Sequence, residues 1–423
     1  MMEPCAMAKI LYFNIPGYGH VNATLPVVAE LTRRGHEVIY YCGTDFQGAI
    51  ESAGGIFRPY PIADLDSRMI VRISRHLANV SSYLLKSART LAPFAIAEIE
   101  REQPDLVMYD AVTIWGRIAA AVTGTPSIAS YTVMVNEGRK IEIGCRKMAV
   151  FAATAIPKLP GLAIHRRALI KAYGEDIMHA PLFPSKAQKN IEFILPSFQP
   201  ESQFVDDSFV QVGPSIDPAL RQEAPWQPLD TALSQVLISL GTVNNRNTHF
   251  YRTAFAAFAD YPAQFILSAG KLVDMDQIGA VPGNFLVKES VPQLQVLQQS
   301  AAFITHGGMN SVQEGLYYGV PLVVVPQQME QFINGKRVAE LGAGVLLDKG
   351  DGLTPEQLRS ALDTVLTMPS YTQAARALGQ EGQAAGGYVR AADEIEAFLG
   401  RVSKQFIEEH AGKIRVLSGY LLD

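Results

Sequence analysis

Short apolar runs alternate with polar, helix-forming stretches along nearly the whole chain. In the first half, residues 10–15 read as a buried strand, and 24–34 read as a helix that stops at Gly35. Residues 37–42, 106–109 and 127–129 read as further strands, with a helix near 114–122 between the last two. The second half repeats the pattern, with apolar runs at 236–240, 264–267, 285–287, 302–305 and 321–325. Between the halves, residues 211–218 hold one Gly and two Pro, which suits a linker. Strands alternating with helices predict parallel sheets, hence an α/β fold of two Rossmann-like domains facing across a cleft.

Length agrees with two cores, because 423 residues exceed what one core supports. A hydrophobic fraction of 48% with 18% charged residues excludes disordered and fibrous classes. The net charge of −5 argues against broad nucleic-acid binding. Three scattered cysteines, Cys5, Cys42 and Cys145, make neither a disulfide framework nor a metal site, and they fit a reducing cytoplasm. The longest apolar run, Met148 to Ile156, is far short of the ~20 residues that span a bilayer. The N-terminus lacks the pattern of a signal peptide, and Met7 is an alternative start to Met1. One local imbalance stands out: residues 139–171 carry eight Lys or Arg against the single acid Glu142, with apolar residues interleaved. A solvated helical face explains that pattern; a weakly membrane-associating surface is the alternative.

The densest polar signal is His306-Gly307-Gly308-Met309-Asn310-Ser311, which follows one strand and opens a helix. A glycine turn at a helix start gathers unsatisfied N–H groups and about half a positive charge, which suits a phosphate. The alternative is an ordinary turn in which Asn310 or Ser311 caps the helix. Glu314, one turn on, can accept from a ribose diol. Glu330 and Gln331 follow the next strand, at the sheet edge where ligands collect, and suit sugar hydroxyls.

The first strand runs into Pro16-Gly17-Tyr18-Gly19-His20, placing His20 in the first loop after it. The glycine spacing is not that of the dinucleotide fingerprint. A histidine there is suited to take a proton near neutral pH. Asp110, at the end of the strand 106–109, can fix its tautomer as in a Ser-His-Asp triad. No Gly-x-Ser-x-Gly elbow supplies a nucleophile, so a substrate hydroxyl must. A plain helix cap is the other reading of Asp110.

Together these motifs resemble the family 1 nucleotide-sugar-dependent glycosyltransferases, most of all the bacterial macrolide and flavonoid type. The resemblance runs from about Lys9 to Leu399. It is carried by Val291-Pro292-Gln293, His306 to Ser311, Glu314, Glu330-Gln331, Asn334, Arg337 and Glu340-Leu341-Gly342, with Ser239 to Thr242 and Gly17 to Pro26 as further motifs. It implies the GT-B fold, with an acceptor domain over 8–213, a donor domain over 214–390, and a helix from 391 that returns to the first domain ahead of an added tail to 423. It implies donor contacts from Gly241, Thr242, Ser290, Val291, Gln293, His306, Gly308, Asn310, Ser311, Glu314, Glu330 and Gln331. His20 becomes the base and Asp110 its partner. Plant members stack a Trp on uracil where this chain has Ser290, so the choice between uridine and thymidine stays open. They carry Asp where this chain has Glu330.

The implied reaction is inverting transfer of a sugar, with glucose from UDP-glucose as the first choice, to a hydroxyl of a small hydrophobic acceptor such as a macrolide, polyketide or flavonoid. UDP-sugar is a co-substrate; neither a cofactor nor a metal is expected, since no Asp-x-Asp pair accompanies the diphosphate motif. Tyr18, Met69, Tyr83, Tyr131 and Met134 are the candidate acceptor contacts, although the same residues suit plain core. Rival readings are a membrane-surface lipid glycosyltransferase of the same fold, a nucleotide-sugar epimerase, and a non-catalytic nucleotide-sugar-binding helper. Oligomeric state is not legible.

Overall fold

Apolar strands buried on both faces assemble two parallel sheets, as continuous Val-, Ile- and Leu-rich runs require. A computed structural model describes residues 7–402, apart from 63, 74–76, 136–148, 150–151, 179–183, 222–224, 228–231, 242–246, 271–272 and 274–276. The first sheet holds β1 (Lys9–Phe13), β2 (Glu37–Cys42), β3 (Ile56–Pro59), β4 (Leu106–Asp110), β5 (Ser127–Tyr131), β6 (Lys189–Glu192) and β7 (Phe209–Gln211), in the order β3-β2-β1-β4-β5-β6-β7. The second holds β8 (Ser234–Ser239), β9 (Ala263–Ser268), β10 (Phe285–Lys288), β11 (Ser300–Thr305), β12 (Leu322–Val324) and β13 (Gly344–Leu346), in the order β10-β9-β8-β11-β12-β13. All recorded strand pairs are parallel.

Each order reverses once, between β1 and β4 in the first sheet and between β8 and β11 in the second. Chain connections leave in opposite directions at such a point and open a crevice beyond the carboxyl ends of the strands. The residues after β1, β4, β8 and β11 are therefore the ones each domain offers to a ligand.

The helix after β1 starts earlier than its sequence suggests. It spans Tyr18–Arg33 rather than beginning at 24, and Gly17 in extended conformation precedes it. Gly19 and Asn22 are weak helix formers, which hid the first turn. His20 consequently sits on a helix rather than in a loop.

Residues 195–198 join the two domains. Leu195 N–H donates to Gln313 Oε1 at 2.8 Å, and Ser197 N–H donates to Glu381 Oε1 at 2.7 Å. Arg337 donates to the carbonyls of Ser197 and Phe198 at 2.5 and 3.0 Å. The helix over residues 387–402 packs Ala391, Ala392, Ile395, Phe398 and Leu399 into the core beneath the first sheet. Its Glu396 accepts from Arg34 Nη1 at 2.6 Å and lies 3.0 Å from His36 Nε2. The tail from 403 lies outside the described residues.

One buried acid in the first domain titrates in an accessible range. Glu192 is fully buried; Oε2 accepts from Gln211 at 3.0 Å while Oε1 has no partner. Burial, partly offset by Gln211, pushes its carboxyl up from 4.5 to about 7. The folded state then holds a proton that the unfolded state has lost, so stability falls as pH rises through that window and stays lower above it. Glu192→Gln removes the penalty. Its unfolding free energy should exceed the wild-type value by up to ~3 kcal/mol near pH 8, with the gain shrinking towards about pH 5. Urea unfolding at both pH values measures this; an equal gain or loss at the two assigns the effect to packing.

Candidate active site

His20, in the first turn of the helix after β1, points its Nδ1 at Asp110 Oδ2, 2.7 Å away. Asp110 ends β4 and is almost fully buried; its other oxygen accepts from Val112 N–H at 3.0 Å. The carboxylate thus serves a local turn and the imidazole together. Thr132, just past β5, adds its hydroxyl 3.1 Å from the same Nδ1. With a proton held on Nδ1, Nε2 presents a lone pair. Burial works to lower the His20 pKa, but the Asp110 charge and hydrogen bond, with help from Glu330, leave it above the ordinary 6.5. A methyl group on Gly17 would lie 3.1 Å from the His20 ring and 3.7 Å from Ile70, so the helix Ser67–Ile73 stands beside the base.

Across the cleft, the helix Met309–Tyr317 begins after Gly308, and no side chain caps it. Asn310 and Ser311 are therefore not caps: they sit half-buried in the first turn, beside N–H groups open to an anion. Gly307 takes φ +86, and its carbonyl accepts from Asn334 at 2.9 Å, which ties the turn to the helix Met329–Glu340. His306 fills the space between two glycines. A methyl group on Gly241 would lie 2.5 Å from its Cε1, and one on Gly308 would lie 2.4 Å from its Nε2. Its Nδ1 is buried with no geometric hydrogen-bond partner among the described residues. Burial, offset in part by the Ser239 backbone, pushes its pKa down to about 4, so the ring offers a hydrogen bond rather than a charge. A methyl on Gly19 would lie 4.0 Å from Asn310 Oδ1, which puts the two helix starts face to face.

Glu314 is buried and held on both sides. Gln293 Nε2 donates to its Oε2 at 2.6 Å, and Arg221 donates to its Oε1. Gln293 opens the short helix Gln293–Leu297 directly after Val291 and Pro292, while Ser290 is exposed. Glu330 sits in the first turn of the helix Met329–Glu340. It is exposed, and desolvation by the surrounding protein raises its pKa against the opposing pull of His20 and Asn334. Gln331 is buried and its Oε1 accepts from Gln327 N–H at 2.8 Å. Thr242 lies outside the described residues.

The acceptor candidates divide. Tyr18 is exposed, with its ring edge-on to Phe46 at 5.0 Å; Met69 and Tyr83 are half-buried. The other two lie away from solvent. Tyr131 is fully buried, donates its hydroxyl to the Ser185 carbonyl at 2.9 Å and packs on Phe209, so it is core. Met134 is 8% exposed and packs in the hydrophobic cluster with Ile194, Leu195 and Phe198 at the domain junction. Side chains alternate along a strand, so the residue that reaches His20 is Thr132, the next position after Tyr131. Arg221 is the other functional neighbour that no local pattern announced.

Two sheets with their reversal points facing each other, a histidine–aspartate pair on one side and an anion turn on the other, match proteins of known activity. Residues 255–397 match the family model described as the erythromycin biosynthesis protein CIII-like C-terminal domain. The chain is 35% identical to the NDP-glycosyltransferase YjiC of Bacillus subtilis, over 92% of this chain and 97% of that one. The chain belongs to the nucleotide-sugar-dependent glycosyltransferases. It is also 30% identical to the oleandomycin glycosyltransferase of Streptomyces antibioticus, over 93% of this chain and 91% of that one. Among solved structures, the calicheamicin glycosyltransferase CalG4 superposes with a TM-score of 0.78 at 28% identity, over 94% of this chain and 99% of that one. This glycosyltransferase therefore has the GT-B fold. No helix among its described residues is long and apolar enough to cross a membrane.

Proposed function

We propose that the enzyme transfers a hexose, glucose from UDP-glucose first, to a hydroxyl of a small hydrophobic natural product with inversion. The observation that carries this is the 2.7 Å His20–Asp110 pair facing Glu330 and Asn310 across the cleft. His20 Nε2 takes the acceptor's hydroxyl proton as its oxygen bonds to the anomeric carbon. The bond from that carbon to the β-phosphate oxygen breaks, and the nucleoside diphosphate leaves with the electron pair. Charge growing on the phosphate meets the open N–H groups of the helix Met309–Tyr317, the Ser311 hydroxyl and neutral His306. Asp110 stabilises the imidazolium that forms. The oleandomycin enzyme's name and the apolar surround of Ile70 and Tyr83 support a macrolide or aromatic acceptor. Product analysis of UDP- and dTDP-sugars against phenols and macrolides tests the reading; conversion of donor without any acceptor would show an epimerase instead.

Activity should survive EDTA. The diphosphate turn draws its positive potential from a helix start. No cluster of three His, Cys, Asp or Glu with metal-holding geometry exists among the described residues. Initial rates with and without chelator measure this, and a loss restored by magnesium or manganese would reverse the expectation.

A further inference from the structure

The helix Leu159–Tyr173 turns two different faces to its surroundings. Inward, Leu162, Leu169 and Ile170 join the hydrophobic cluster that also takes in Ile70 and Tyr83. Outward, Pro160, Ala163, Ile164, Arg167 and Lys171 follow one another at helical spacing, all exposed. Three large aliphatic side chains stand more than half in water here: Ile156 at 62%, Leu159 at 56% and Ile164 at 60%. A soluble surface has no use for such a group, and burying each one favours any partner that takes it out of water.

Cations surround these side chains. Lys158, Arg167 and Lys171 are exposed on the same segment, and Lys86 and Arg89 are exposed on the neighbouring helix Leu77–Glu102. Arg89 Nη1 lies 3.5 Å from His165 Nδ1, so the two helices present one continuous basic field. Burial, then Arg89 and Lys86, hold the His165 pKa below its ordinary value. From Ala152 to Gly174 the sequence has no Asp or Glu; acids resume only at Glu175 and Asp176, past the end of the helix. Exposed aliphatics within a rim of Lys and Arg, with no acid in residues 152–174, complement an anionic bilayer, where apolar tips enter the headgroup layer and cations meet lipid phosphates.

We infer that residues 156–171 dock this enzyme on anionic phospholipid surfaces, beside the hydrophobic cluster that borders the base. A hydrophobic acceptor dissolved in the bilayer would then reach the cleft without crossing bulk water. This inference does not depend on the identity of the sugar or acceptor.

Flotation of the full chain with vesicles tests it. The protein should float with vesicles of phosphatidylcholine and phosphatidylglycerol at low salt, stay behind with pure phosphatidylcholine, and come off at high salt. Arg167→Gln and Lys171→Gln should each lower the partition coefficient about fivefold, and together about 25-fold. Ile164→Ser should lower it at constant charge. All three should keep wild-type rates on a water-soluble phenol, which shows that they fold and leaves the glycosyltransfer reading untouched. Absence of flotation with the anionic vesicles, equal flotation with neutral ones, or undiminished binding of the double variant would overturn the inference. So would retention on heparin, lost in the same variants, without vesicle binding, because that pattern belongs to a polyanion partner.

Discussion

Replacing His20 with alanine should lower turnover about 10²–10⁴-fold on an acceptor with an unactivated alcohol, the usual range for losing a general base. The 2.7 Å contact to Asp110 fixes which nitrogen carries the proton, so the loss is specific to the chemical step. Donor affinity should hardly change, because the diphosphate turn belongs to the other domain. A phenol that ionises readily should suffer less than an aliphatic alcohol. The pH profile makes the assignment stricter. The His20 pKa lies above 6.5, and the base works only when unprotonated, so kcat/KM should fall as pH drops through that raised value. Asp110→Asn removes the charge that raises it and should move the acidic limb to lower pH while reducing the plateau. Near-normal turnover of His20→Ala on an aliphatic alcohol would sink the assignment, as would an acidic limb that stays put in Asp110→Asn.

What could be read from the sequence follows from what each residue does locally. Strands β1, β4, β8 and β11 are central and buried, so their apolar runs show plainly, and the residues just after them are where the cleft lies. Strands β3 and β13 are short edge strands, and β6 carries Asn190 and Glu192, so their runs fall below notice. The His306 turn and the His20 region were legible because glycine spacing and polar residues coincide within a few positions. Arg221 was not, because its partner Glu314 is 93 positions away and only folding brings the two together. Tyr131 is inward for a finer reason. Its aromatic ring suggests a ligand contact, but Tyr131, opposite Glu192 on β6, is fully buried, and the polar residue just past the strand is Thr132. The helix start at Tyr18 was lost because helix propensity is a weak prior that tertiary packing overrides.

Removing the Glu314 carboxylate should weaken free UDP and intact UDP-glucose alike, roughly tenfold to a hundredfold, since a charged hydrogen-bond partner contributes about 1.5–3 kcal/mol. The proposed ribose contact, which both ligands share, is Glu314: it is buried one turn after Asn310 and steadied by Gln293 at 2.6 Å. Gln331→Ala should behave differently. If Gln331 reads the sugar as proposed, its loss should penalise UDP-glucose while sparing UDP, unless loss of the Gln327 contact collapses the loop before it. Titration calorimetry of both ligands against both variants separates the roles, and Gln331→Ala weakening the two ligands equally would remove its sugar assignment. Arg221 adds a control. Glu314→Ala removes the carboxylate beside that guanidinium, and an unbalanced charge alone can weaken a neighbouring site. If Glu314 acts through the ribose, the double variant Glu314→Ala, Arg221→Ala stays as weak as the single one. If the loss came from the unbalanced charge, removing Arg221 restores UDP binding towards the wild-type value, and the carboxylate is then a partner of Arg221 and not of the donor.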